Sequence, residues 1–217
     1  MKNKKTLYHF ILDSSGSMSA DQVNTVNLFN RQVATVRDLA ITYPDQKFLT
    51  GLTIFNERVN HLLRETPVHK LIELSHDKYR PNGYTALYDA IGESVSGIKE
   101  RFGKEIDNGE MSVVVIVLTD GHENASRRFD QRMIASKIDE LQATDGWTFT
   151  ILGADFDITQ VSKEMNLGRS AFNYAKSDFK NLSDDMDSSL RAYAHSKSSG
   201  IIDKDYFKKG KDDKNNN

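Results

Sequence analysis

The sequence predicts an α/β fold, with a doubly wound and mainly parallel sheet that has helices on both faces. The main observation is that strand-like apolar runs alternate with helical patterns along the chain, as they do in folds built from β-α-β units. A second observation is the segment 112–119, whose centre holds only Val, Ile and Leu. Such a run is typical of a central strand that is covered on both faces, which is the usual situation in parallel sheets.

Six short apolar runs are predicted to be strands. They cover residues 6–12, 48–56, 58–63, 112–119, 148–154 and 171–175. The second and third runs are separated only by a turn at Asn56 and Glu57. Parallel neighbours need a crossover of a dozen or more residues, so these two strands are predicted to form an antiparallel hairpin.

Four segments between and after these runs are predicted to be helices, because their apolar residues recur at spacings of three, four or seven. They cover residues 23–40, 86–102, 133–141 and 178–195. The helical pattern fades at about Ser196, so we expect one domain over residues 1–196 and a polar tail over residues 197–217. The end of that tail, 208–217, has no apolar residue and is predicted to be disordered.

A small apolar island lies inside the predicted tail, just before its charged end. It consists of Ile201, Ile202, Tyr206 and Phe207. Two interpretations stay open from the sequence alone. The island either packs back on the domain or serves as a short docking motif for another molecule.

Composition excludes several classes of function. The formal net charge of −2 gives no basic surface for nucleic acid. The chain has no cysteine, which rules out disulfides, thiolate metal sites and a cysteine nucleophile. No apolar stretch is long enough for a membrane span. The apolar start of the chain contains His9 and stops at Asp13, unlike a signal peptide, so a cytoplasmic location is predicted.

Oxygen-bearing side chains gather in three loops, each next to the end of a predicted strand or the start of a predicted helix. Asp13, Ser15 and Ser17 follow the first strand, Thr85 precedes the second helix, and Asp120 follows the most apolar strand. In an open doubly wound sheet, ligands bind beyond the carboxyl ends of the strands. Hard oxygen donors suit Mg²⁺, and also Mn²⁺ or Ca²⁺. The pattern therefore predicts a divalent metal site.

This pattern, Asp-x-Ser-x-Ser at 13–17 with Thr85 and Asp120-Gly121, resembles the metal-ion-dependent adhesion site (MIDAS) of von Willebrand factor A domains. The likeness covers residues 6–195 and is strongest to the family's stand-alone bacterial or phage members. It implies a Rossmann-like sheet of six strands with one short antiparallel edge strand. It also implies a divalent ion, Mg²⁺ first, and a protein partner whose Glu or Asp carboxylate completes the coordination.

Four further residues lie next to the predicted ligands in sequence. They are Tyr84, His122, Glu123 and Asn124. Their position makes them candidates for a rim around the metal that contacts the partner, and solvated loop positions are the alternative interpretation.

Catalysis is not predicted. The loops lack the Gly-x-Ser-x-Gly elbow of hydrolases and the spacing of a phosphate-binding P-loop. One alternative is a metal-assisted phosphohydrolase with Asp13 as nucleophile, although such enzymes usually carry a second Asp where this chain has Ser15. Another alternative is a metal-free scaffold, in which Asp, Ser and Thr only cap helices and form turns.

Overall fold

The computed structural model describes residues 4–155, 158–167 and 170–207. All six predicted strands are present, with ends within a few residues of those predicted. They are β1 (Lys5–Asp13), β2 (Lys47–Phe55), β3 (Val59–Pro67), β4 (Met111–Thr119), β5 (Trp147–Ala154) and β6 (Ala171–Tyr174).

The helices include the four predicted ones and a short fifth. They are α1 (Gln22–Thr42), α2 (Leu87–Asp107), α3 (Gln131–Gln142), α4 (Ile158–Glu164) and α5 (Phe179–Ser198). The helix that was not predicted, α4, has only seven residues, too few for an apolar period to stand out. Short 3-10 turns cover Gly16–Asp21, Val68–Lys70 and Lys176–Asp178.

The strands form one six-stranded sheet in the order β3-β2-β1-β4-β5-β6. Every neighbouring pair is parallel except β2 and β3, which are antiparallel. The structure thus confirms both the mainly parallel sheet and the antiparallel edge strand, which has nine residues. The chain leaves β1 toward β2 on one side and later returns to β4 on the other, so the strand order reverses at β1. The carboxyl ends of β1 and β4 flank this point, where doubly wound sheets bind ligands.

Helices cover the sheet on both faces, because successive side chains of a strand point to opposite sides. Tyr8, Phe10 and Leu12 of β1 join one apolar core with α1 and α5. Leu7 and Ile11 join the other core, with α2, α3 and α4. All nine residues of β4 are buried, which confirms the prediction that this strand is covered on both faces. Within residues 4–155, 158–167 and 170–207, no helix has the length and apolar character that crossing a membrane requires.

The end of the described chain packs on the domain. The expected boundary at residue 196 falls inside α5, which continues to Ser198. Tyr206 and Phe207 are 3% and 4% exposed, and the Phe207 ring lies 4.7 Å from that of Phe172. Two side chains of the apolar island therefore pack back on the domain, which was the first of its two interpretations. The segment 208–217, predicted to be disordered, lies outside the described residues.

Candidate functional site

Asp13 ends β1 and is fully buried. One carboxylate oxygen accepts a hydrogen bond from the backbone N–H of Ser15 at 2.7 Å, and the other accepts one from the Thr119 hydroxyl at 2.6 Å. The Tyr79 hydroxyl donates to the Asp13 carbonyl oxygen. Burial raises the pKa of Asp13 to about 6, although the hydrogen bonds from Thr119 and Ser15 act in the opposite direction. The carboxylate is therefore held in one orientation at the strand end.

A chain of hydroxyl groups connects the first loop to the third. The hydroxyl oxygens of Ser15 and Ser17 are 3.1 Å apart, and Ser17 donates to Asp120 Oδ1 at 2.6 Å. Thr85 of the second loop lies near the same hydroxyl groups. A Cβ added to Gly121 would be 3.4 Å from Thr85 Oγ1 and 3.9 Å from Ser17 Oγ, so both oxygens lie next to Gly121. The structure thus brings the five predicted metal ligands from three separate loops to one end of the sheet.

The second loop is fixed against the first by backbone hydrogen bonds. Gly16 N–H donates to the Gly83 carbonyl at 3.0 Å, and Asn82 N–H donates to the Ser14 carbonyl at 2.9 Å. Gly83 has a φ of +73°, and a Cβ there would lie 2.2 Å from Glu57 Oε2. The Glu57 side chain is flexible and could move aside, but the positive φ is a conformation that L side chains rarely adopt, so this position favours glycine. This turn sets the position from which Thr85 enters the site.

Two of the four predicted rim residues hold the third loop in place. The Glu123 carboxylate accepts hydrogen bonds from the backbone of Tyr88, at 2.9 Å, and from the Ser126 backbone and hydroxyl, at 2.6 and 2.7 Å. Asn124 Oδ1 accepts a hydrogen bond from Thr85 N–H at 2.9 Å. Glu123 thereby caps the N-terminus of α2, where backbone N–H groups have no partner within the helix. Three of the four rim residues are exposed, namely Tyr84, whose exposed fraction is 68%, His122 and Asn124, whereas Glu123 is half-buried.

One lysine at the site was not predicted. The ammonium of Lys176 donates to Asp120 Oδ2 at 2.5 Å and to the Ser17 carbonyl at 3.2 Å. It also forms an ion pair with Asp21 Oδ2 at 3.2 Å. Partial burial is the largest single influence on the pKa of Lys176 and acts to lower it, but the hydrogen bonds and negative charges of Asp120 and Asp21 together outweigh it and raise the pKa. Lys176 lies two residues after the end of β6, and sequence alone does not reveal that the end of this strand lies beside the β4 loop.

The residues that converge here fit a divalent metal ion. Ser15, Ser17 and Thr85 offer hydroxyl oxygens, and Asp13 and Asp120 offer carboxylate oxygens. Hard donors of this kind are those that Mg²⁺ takes from proteins, and two carboxylates balance its charge. Among the described residues, no three Asp, Glu, His or Cys side chains form a metal-ligand group. A site at this position therefore depends on its hydroxyl groups as well as on its two carboxylates.

The von Willebrand factor type A domain is a family whose sequence profile matches this chain, over residues 9–188. No curated protein matches the chain. Solved structures do. The ArnB paralog VWA2 from Sulfolobus acidocaldarius shares 21% identity over 85% of this chain, with a TM-score of 0.56. The von Willebrand factor type A protein from Catenulispora acidiphila shares 16% identity over 88% of the chain, with a TM-score of 0.59.

A third similar structure is proximal thread matrix protein 1 from the mussel byssus, in a form with a zinc-occupied MIDAS motif. It shares 19% identity over 89% of this chain, with a TM-score of 0.58. The chain spans less than half of these three proteins, namely 45%, 43% and 46% of their lengths. At such identities the likeness shows the common fold.

Proposed function

Because the chain belongs to the von Willebrand factor type A domain family, we propose that it is a divalent-metal-dependent module that binds another protein. The observation that carries this proposal is the convergence of five oxygen-bearing side chains at the carboxyl ends of β1 and β4. The hydroxyl of Ser17 lies 2.6 Å from Asp120 Oδ1 and 3.1 Å from Ser15 Oγ. Such a cluster of hard donors at the point where the strand order reverses is the arrangement that a Mg²⁺ site needs.

Each residue of the cluster has a defined part in this proposal. Asp13 and Asp120 would balance the charge of the ion, and Ser15, Ser17 and Thr85 would add neutral oxygens. The bound ion supplies a positive charge that attracts an anionic ligand. The protein partner is proposed to present a Glu or Asp carboxylate to it. Mg²⁺ is the first candidate, and Mn²⁺ or Ca²⁺ would meet the same oxygen donors; the zinc-occupied motif of the mussel protein supports a divalent ion in general.

The surface beside the cluster would contact the partner. Tyr84, a large exposed aromatic side chain, and the exposed His122 are the rim residues proposed to touch the partner directly. Glu123 and Asn124 would act through the loop they hold, since their carboxylate and amide oxygens accept hydrogen bonds from the backbone of Tyr88 and Thr85.

A non-enzymatic role is part of the proposal. A nucleophilic Asp13 would have to reach a phosphorus atom, but its carboxylate is fully buried and both of its oxygens accept hydrogen bonds. That burial supports a binding role over hydrolysis. The cytoplasmic location stays a prediction from the sequence.

Titration calorimetry of Mg²⁺ into chelator-treated protein tests the metal site. We expect saturable binding with a dissociation constant of about 1 mM, or about −4 kcal/mol. Asp13→Ala/Asp120→Ala should abolish it, and Ser17→Ala should weaken it. Ser188→Ala is the matched control, because it removes an exposed hydroxyl on α5. Binding that survives the double substitution would mean that the ion sits elsewhere, and no binding of Mg²⁺ or Mn²⁺ would favour the metal-free scaffold.

The partner is tested by capture with and without chelator. An acidic peptide library displayed on beads should retain the protein in Mg²⁺ and release it in excess chelator. Retention that is equal in both conditions would argue against a carboxylate bound through the metal.

A further inference from the structure

A lysine ammonium lies among the carboxylates of the candidate metal site. Lys176 Nζ is 2.5 Å from Asp120 Oδ2 and 3.2 Å from Asp21 Oδ2. The side chain of Asp120 is 1% exposed and that of Asp21 is 8% exposed. Two carboxylates this far removed from water need a cation beside them. In this structure the chain itself provides that cation.

We infer that Lys176 is an intramolecular cation that competes with a divalent ion for Asp120 and so sets the metal affinity of the site. This inference rests on the proposed function. It concerns a residue that the family pattern at 13–17, 85 and 120–121 does not contain.

The competition follows from the occupancy of the Asp120 carboxylate. Ser17 donates to Oδ1 and Lys176 donates to Oδ2, so both oxygens already have a donor. A second cation next to Asp120 would lie within a few ångströms of the ammonium, where like charges repel strongly. The two cations therefore exclude each other. When a site is competent for only a fraction of the time, its apparent dissociation constant rises by the inverse of that fraction.

The local backbone allows the lysine side chain to leave without moving the strand. The Lys176 N–H donates to Asp155 Oδ1 at 3.0 Å, which ties the residue to the end of β5. The side chain of Lys176 is 23% exposed, and it is long and flexible. Release of the ammonium to solvent thus needs only a change of rotamer, whereas Asp120 and Asp21 stay where the β4 end and the first loop place them.

Calorimetric titration of Mg²⁺ and Mn²⁺ into the Lys176→Met variant tests the competition. Methionine keeps an unbranched side chain of similar length and removes the charge. If the ammonium holds Asp120 for nine-tenths of the time, its removal lowers the dissociation constant about tenfold. Lys180→Met is the matched control, because Lys180 is an exposed lysine four residues later, and its dissociation constant should equal that of the wild type.

Thermal unfolding provides a second measurement on the same variants. Without metal, Lys176→Met should melt at a lower temperature than the control, because Asp120 and Asp21 lose their cation. Saturating Mg²⁺ should raise the melting temperature of Lys176→Met more than that of the wild type. An equal rise in both proteins, or a dissociation constant unchanged or higher in Lys176→Met, would overturn the inference.

A measurement on the wild-type protein covers the case in which the variant does not fold. The ¹H-¹³C signal of the Lys176 ε-methylene group should shift as Mg²⁺ saturates the site, and that of Lys180 should not. A Lys176 signal that stays constant at saturation would overturn the inference and leave the metal site itself intact. Metal binding that is indifferent to Asp13→Ala/Asp120→Ala would instead refute the proposed function. Absence of metal binding in both the wild type and Lys176→Met would overturn both.

Discussion

A buried histidine in β1 makes the free energy of unfolding depend on pH. His9 of β1 is 2% exposed, and its Nε2 lies 3.0 Å from the Thr53 hydroxyl. That hydroxyl also contacts His61 Nδ1 at 2.9 Å and Ser94 Oγ at 3.0 Å. Burial lowers the pKa of His9 to about 4 from an ordinary value of 6.5. The folded protein thus keeps His9 neutral at pH values where the unfolded chain protonates it.

The size of the effect follows from proton linkage. Between pH 6.5 and pH 4 the unfolded state binds a proton at His9 and the folded state does not, so the free energy of unfolding falls as the pH falls. Each pH unit is worth about 1.4 kcal/mol, and the full window is worth about 3 kcal/mol. Above pH 6.5 His9 contributes no pH dependence. The raised pKa of Asp13 acts the other way between about pH 4 and pH 6, so the curve of one protein alone does not isolate His9.

Urea unfolding of the wild type and His9→Gln at several pH values from 7 to 4.5 isolates the effect. Glutamine can place an amide near the Thr53 hydroxyl but does not titrate. We expect the wild type to lose about 1.4 kcal/mol per pH unit relative to the variant below pH 6.5. The exposed His69 provides the control His69→Gln, which should follow the wild type. A stability difference that is independent of pH, or a His9 ring that titrates near pH 6.5 by NMR, would refute the reasoning.

Two further predictions concern positions where the packing leaves little freedom. In Gly51→Ala the new Cβ would lie 2.3 Å from His9 Nδ1, so we expect a loss of about 1–3 kcal/mol of unfolding free energy. In Gly103→Ala of α2 the new Cβ would meet only a side-chain carbon at 3.8 Å, so this substitution should raise the unfolding free energy by about 0.5–1 kcal/mol. Equal urea midpoints for Gly51→Ala and Gly103→Ala would contradict this prediction. In Asp89→Ala the backbone N–H groups of residues 127–129 lose a carboxylate that accepts from them at 2.8–2.9 Å. We expect a loss of about 3 kcal/mol in urea unfolding and faster hydrogen exchange at these amides, and unchanged exchange would argue against the role of Asp89.

Most of the fold could be predicted from the sequence because its determinants are local or periodic. The segment 112–119 predicted β4 within one residue, since a strand covered on both faces needs apolar residues throughout. The hairpin of β2 and β3 followed from a connection too short for a parallel pair. By contrast, α4 has seven residues, and its pattern is too short to distinguish from a loop.

The candidate site was predictable only where its residues stand next to strand ends. Asp13, Ser15 and Ser17 form a pattern within five positions of sequence, and Asp120 follows an unmistakable strand. Lys176 lies 56 residues from Asp120 in the chain, and no local pattern indicates that the two meet. The same holds for Glu123, which caps a helix that starts 36 residues earlier at Leu87. Contacts between distant segments depend on strand order, which sequence patterning does not specify in detail.

The packing of Tyr206 and Phe207 bears on how the chain is cut for expression or fusion. The family match stops at residue 188, yet α5 continues to Ser198 and buries Lys197, whose ammonium donates to the Lys5 carbonyl at 2.6 Å. A fragment that ends at the family boundary would lose that contact, and the retained rings of Phe172 and Tyr8 would lose their contacts with Phe207 and Tyr193. Aromatic surface that becomes exposed to solvent in this way promotes aggregation. A fragment intended to fold therefore has to retain Phe207, and a fused protein is best attached after it.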